Sequence, residues 1–153
     1  MALRRRTPRG GSARARRGAG LVIVPDASAM VEVIGQTPTG RLLGGRLVNQ
    51  ELVAPAILDA EVASALRRVL LRGGSPRSDI ESALGVLRSW PIERVGYAHL
   101  IRISMQWWEN VSAYDALYLA VARSRGATIL TVDGALARAP ITDVVVENVR
   151  VGR

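Results

Sequence analysis

SAYDALYLAVARSRGATILTVD, residues 112–133, decides the fold. Ser112 and Asp115 have the spacing of a helix N-cap and the third residue inside the helix. From Ala116 to Ala122 every residue is Ala, Leu, Val or Tyr, so no charge interrupts the stretch until Arg123. A helix that is apolar on every side is a buried helix. Gly126 ends it, and the β-branched run at Ala127–Val132 reads as a strand that stops at Asp133. A buried helix feeding a buried strand is the repeating unit of a parallel sheet covered on both faces.

The same alternation extends in both directions. Upstream, Leu21–Pro25 reads as a buried strand ending at Asp26, and Ser28 to Ile34 as a short helix. Thr37 then caps a helix over Thr39–Val48 with Pro38 at its first position. Leu52–Ala54 is the next strand. Pro55 is expected to open a long helix to Leu71, whose stripe of Leu58, Val62, Ala65, Leu66, Val69 and Leu70 has helical period. Ser75-Pro76 begins another helix reaching about Leu87. Pro91–Val95 reads as a strand, and Tyr97 to Trp108 as a helix. After Asp133 the expectation is a turn or two of helix to Ala139 and a last strand at Val144–Val146. The result is an α/β domain with a central, mainly parallel sheet.

Composition narrows the chemistry. The 153 residues hold no cysteine, which excludes thiol catalysis, iron–sulfur clusters and zinc fingers. All 21 basic residues are arginine, and the absence of lysine excludes a P-loop and Schiff-base chemistry. The net charge of +8 is uneven: residues 1–20 carry seven arginines and no acid, and the rest carries 14 arginines against 13 acids. The folded part is thus almost neutral, and residues 1–20 are expected to be a disordered tail. Val22, read through a GTG codon, is an alternative start that would make this tail an artefact of start-site assignment. No apolar run approaches the roughly 18 residues of a membrane span, and no secretory signal is evident, so the expected location is the cytoplasm.

Four carboxylates stand in places where chemistry is done. Asp26 and Asp133 each follow a strand, where open α/β sheets bind ligands. Asp115 starts the buried helix, where a carboxylate must be paired, protonated or holding a metal. Glu61 lies about 60° around its helix from Leu58, at the margin of the apolar stripe. Each has a simpler reading, as a cap or a solvated acid. Asp59, near the same helix start, is assigned to the helix dipole. The carboxyl ends of parallel strands share one edge, so the four converge. Carboxylates gathered in one pocket repel. A hard divalent cation, Mg²⁺ or Mn²⁺, relieves that repulsion, and such a site favours phosphodiester cleavage.

The stretches VPDASA (24–29), AP (54–55) leading to EVASALRR (61–68), SAYDALY (112–118) and LTVD (130–133) resemble the PIN domain. Within it they are most similar to the VapC-type ribonuclease toxins of bacterial toxin–antitoxin pairs. The resemblance covers residues 21 to about 147, giving a domain over 21–150. It implies a PIN-like α/β/α sandwich and a Mg²⁺- or Mn²⁺-dependent endoribonuclease acting on structured RNA such as tRNA or rRNA. It also implies a homodimer neutralised by a VapB-type antitoxin. The metal-holding positions match Asp26, Glu61, Asp115 and Asp133, with Asp26 and Asp115 as main holders of a first ion, and Ser28 matches an assisting hydroxyl. Attack by a metal-activated water would leave a 5′-phosphate and a 3′-hydroxyl. One departure is visible: the family often has a basic residue after the last acid, and here that residue is Gly134.

Readings from other classes are a catalytically silent PIN-like module that binds RNA or protein, a phosphoacceptor receiver and a haloacid dehalogenase-type phosphatase. The receiver needs a lysine that this chain lacks, and the phosphatase needs an acid where Ser28 stands. Arg67 and Arg68 are read either as RNA or antitoxin contacts or as a solvated face. Trp107-Trp108 is assigned to packing, and His99 to the surface or to packing.

Overall fold

The computed structural model describes residues 20–150; the expected tail, apart from Gly20, lies outside the described residues. Five strands, Val22–Pro25 (β1), Glu51–Pro55 (β2), Ile92–Val95 (β3), Thr128–Thr131 (β4) and Val146–Asn148 (β5), form one sheet. Their order is β3-β2-β1-β4-β5, and every neighbouring pair is parallel. The chain lays β2 and β3 to one side of β1, then returns to place β4 and β5 on the other. That reversal opens a crevice at the carboxyl ends of β1 and β4.

The helices are Ala27–Ile34 (α1), Pro38–Leu47 (α2), Leu58–Leu71 (α3), Arg77–Ser89 (α4), Ile101–Ser104 (α5), Ala113–Arg125 (α6) and Gly134–Arg138 (α7). Right-handed crossovers in opposite directions send helices to opposite faces. Accordingly α1 packs with α2, α3 and α4, whereas α6 lies over β1, β2 and β4 with α5 beside it. This is the α/β/α sandwich anticipated from the sequence. Val24, Val53, Ile129 and Leu130 of the sheet are fully buried, as are Met30, Leu43, Leu58 and Val62 from α1–α3 and Leu119 and Val121 from α6. Burial of each such side chain stabilises by about 1.5–3 kcal/mol relative to exposure.

Two glycines are demanded by geometry. Gly126 closes α6 at φ 59°, the left-handed cap that glycine adopts without strain. Gly40 lets α2 approach α1 so closely that a Cβ would stand 1.8 Å from the Glu32 carbonyl oxygen.

Several boundaries differ from the sequence reading. Pro55 does not open α3. It ends β2 in register with Val95, and the Ala56 N–H donates to the Val95 carbonyl (2.8 Å), so the helix starts only at Leu58. The helix expected over Tyr97–Trp108 is broken into a 3₁₀ turn, the four-residue α5 and a second 3₁₀ turn. There the Ser104 hydroxyl donates to the Ile101 carbonyl and accepts from Trp108 Nε1, and such side-chain bonds compete with helical ones. Trp107 is buried while Trp108 is not. The last strand lies at Val146–Asn148 rather than Val144–Val146, in register with Ile129–Thr131. Asp59 does more than sit near a helix start: it takes a two-pronged bond from Arg94 (3.0 and 3.2 Å), tying α3 to β3.

A candidate active site at the carboxyl edge of the sheet

Asp26 leaves β1 and caps α1, its Oδ1 accepting from the Ala29 N–H (2.8 Å). The same oxygen accepts from the Ser28 hydroxyl (2.7 Å), and Oδ2 accepts a short bond from the Thr131 hydroxyl. Ser28 and Thr131 in turn accept from the backbone N–H groups of Val132 (3.1 Å) and Asp133 (2.9 Å). The ends of β1 and β4 are thereby stitched together around one buried carboxylate. Asp26 is 5% exposed, and this burial pushes its pKa up. Three hydrogen bonds pull it back and the Asp115 charge adds to the rise.

Glu61 reaches the same place from α3. The Tyr118 hydroxyl donates to its Oε2 (2.6 Å) from the buried helix α6. Partial burial raises the Glu61 pKa; the Tyr118 bond lowers it, and the charges of Asp115 and Asp26 raise it again. The Tyr118 phenol is driven far above its ordinary range, by burial first and then by Glu61, so it stays a protonated donor. Asp115 sits in the first turn of α6. Ser112 caps the helix by accepting from the Asp115 N–H (3.1 Å), and its hydroxyl donates to Asp115 Oδ2 (2.8 Å). Capping and site membership therefore coexist at this residue. Burial raises the Asp115 pKa, the Ser112 hydroxyl lowers it and the Asp133 charge raises it. Asp133 caps α7, its Oδ1 accepting from the Ala135 N–H (2.7 Å).

All four carboxylates face one cavity of about 410 Å³, whose walls also include Ser28, Glu32, Arg68 and Tyr118. Five carboxylates against one guanidinium make it strongly acidic. The sequence reading overlooked Thr131, Tyr118 and Glu32 here. Thr131 lies two residues before Asp133 on a strand, and Tyr118 three residues after Asp115 on a helix, so both spacings put them on the site face.

The donors suit a hard divalent cation: carboxylate and hydroxyl oxygens, with no sulfur and no imidazole at the cavity. Among the described residues no three such side chains stand close enough to hold one ion between them as arranged. Mg²⁺ commonly takes only one or two carboxylates and keeps several waters, so the set fits an open, water-rich site and not a closed cage.

The sequence profile of the PIN domain matches residues 23–141. Ribonuclease VapC3 of Mycobacterium tuberculosis is 36% identical over 118 residues, covering 76% of this chain and 86% of that protein. Ribonuclease VapC1 of the same species is 37% identical over 121 residues, covering 76% and 90%. A crystal structure of VapBC2 from Rickettsia felis bound to a DNA fragment from their promoter contains a chain of like fold. Its TM-score is 0.60 at 17% identity, over 85% of this chain and 100% of that one.

Proposed function

The chain belongs to the PIN domain family, and from that premise we propose that it is a Mg²⁺- or Mn²⁺-dependent endoribonuclease. In this reading it is the toxin of a VapBC-type pair, acting as a cytoplasmic homodimer on RNA and restrained by a VapB-type antitoxin. The observation that carries the proposal is the meeting of Asp26, Glu61, Asp115 and Asp133, from four separate segments, in one cavity at the crevice between β1 and β4. The curated relatives are named ribonucleases.

Asp26 and Asp115 are the proposed main holders of a first ion, with Glu61 or Asp133 available to a second. When bound, the metal would polarise the phosphoryl oxygen and make a water nucleophilic at neutral pH. The chain's own residues fix the geometry. Ser28, Thr131 and the Ala29 N–H hold Asp26 from three directions. Tyr118, protonated and buried, fixes one oxygen of Glu61, and the other has no hydrogen-bond partner among the described residues. Ser112 orients Asp115.

The test is cleavage of a mixed structured RNA pool with Mg²⁺ or Mn²⁺, with EDTA, and with Asp115→Asn. The expected result is cleavage that needs metal. It should fall in the near-isosteric mutant by more than the ~10–100-fold that loss of a supporting hydrogen bond costs. Metal should also raise the melting temperature of the wild type and not of the mutant. A folded wild type that neither cuts RNA nor gains stability from either metal would overturn the proposal.

A further inference from the structure

The cavity offers an incoming phosphodiester five carboxylates and one guanidinium, that of Arg68 on α3. An anionic backbone needs cations at the mouth of such a site, whatever metal lies inside. The residue after Asp133 is Gly134, which has no side chain to provide one. Yet the space above it is filled: a Cβ on Gly134 would stand 2.6 Å from Nη1 of Arg138 and 3.4 Å from its Cζ. The reason is helical. Arg138 ends α7, and helical side chains lean toward the helix start, over the residue four positions back.

The Arg138 side chain is exposed, and among the described residues its guanidinium makes no hydrogen bond and no ion pair, not even with Asp133. Arg150, by contrast, is spent on the Val132 carbonyl, to which its Nε (3.0 Å) and Nη2 (2.6 Å) both donate. Gly134 is one Cα step, about 3.8 Å, from Asp133, a lining residue of the cavity, so the guanidinium packs on the residue that directly follows a cavity carboxylate. We infer that Arg138 is a substrate-phosphate contact: it fills the place of the side chain that Gly134 lacks. With Arg68 from α3 it holds the RNA backbone at the mouth of the acidic cavity. The inference rests on the nuclease reading above, and it assigns part of the specificity for a polyanion to a residue outside the carboxylate set.

The experiment measures binding of a fluorescent mixed-sequence RNA oligonucleotide to the full chain carrying Asp115→Asn, over a series of salt concentrations. Arg138→Ala, Arg138→Lys and Gly134→Ala are each added to that background. Gly134→Ala is informative because its Cβ meets only the far end of the Arg138 side chain, so the guanidinium is displaced while the backbone stays. Arg138→Ala and Gly134→Ala are expected to weaken binding about three- to tenfold. Both should also flatten the log–log salt dependence by about 0.7, one phosphate contact. Arg138→Lys should keep most of the affinity and the slope. If the background chain binds RNA and Arg138→Ala changes neither affinity nor slope, the inference is overturned while the nuclease reading stands. If the background chain does not bind RNA and the wild type cuts none with metal, the nuclease reading itself fails and this inference falls with it.

Discussion

Tyr118 is 1% exposed, and its hydroxyl spends its proton on Glu61 across 57 residues of sequence. That single bond lowers the Glu61 pKa against burial and against the charges of Asp115 and Asp26. Tyr118→Phe keeps the ring and its packing but removes the donor, so Glu61 should become harder to ionise and less well oriented. Metal affinity is therefore expected to fall about tenfold, as for other residues that orient a ligand through a hydrogen bond. The check is the Mg²⁺ concentration at which melting temperature and cleavage reach half of their full change. Equal midpoints in mutant and wild type would show that Tyr118 serves packing alone. A purely structural role would instead lower the melting temperature without metal and leave the midpoint in place.

The α1–α2 pair is the element whose placement the site most depends on, because α1 is capped by Asp26 and carries Ser28. Gly40 sets the distance between the two helices, with the Glu32 carbonyl where a Cβ would be. Gly40→Ala forces backbone against backbone. It should cost about 1–3 kcal/mol as overpacking does, or roughly 3–10 °C in melting temperature for a chain this long. Calorimetry checks it, and an unchanged melting temperature would mean that α2 shifts freely. Much of this layer could be read from the sequence. The all-apolar turns of α6, the β-branched run of β4, the Thr37–Pro38 start of α2 and the Gly126 stop each have a local cause. Misplaced boundaries arose where distant pairing decides: Pro55 was drawn into β2 by Val95, and β5 was set by its register with β4. The four carboxylates were legible because each borders a strand end or a helix start or stripe. The hydroxyls that hold them were not, since a bond such as Thr131 to Asp26 spans 105 residues and leaves no local pattern.

For the molecule as a whole, the gathered carboxylates are a source of strain that the proposed cation would relieve, and this fixes the sign of the site's pH dependence. Asp26, Glu61 and Asp115 all have pKa values raised in the folded state, by burial first and, at all three, also by neighbouring carboxylates. In the unfolded chain they release their protons near about pH 4. Between that pH and the raised folded values, the folded state binds more protons than the unfolded one, so stability falls as pH rises. Above the folded values the full penalty of holding the charges together is present. Below about pH 4 both states are protonated and this contribution vanishes. Without metal, the melting temperature is therefore expected to increase on acidification from about pH 7 to about pH 5. Exposed pairs such as Arg46–Glu147 and Arg123–Asp143 contribute little to the trend, being solvent-screened. Under the proposed metal-dependent reading, saturating Mg²⁺ would bind the ionised carboxylates and should reverse the ordering. At a hundred times its dissociation constant it adds about 2.7 kcal/mol at neutral pH, and less under acid, where protons compete for the same oxygens. Scanning calorimetry at the two pH values, with Mg²⁺ and with EDTA, reads both effects. A melting temperature in EDTA that is higher at neutral pH than at pH 5 would show that the carboxylates are not mutually destabilising. A Mg²⁺ shift equal at both pH values would show that the cation binds somewhere other than on them.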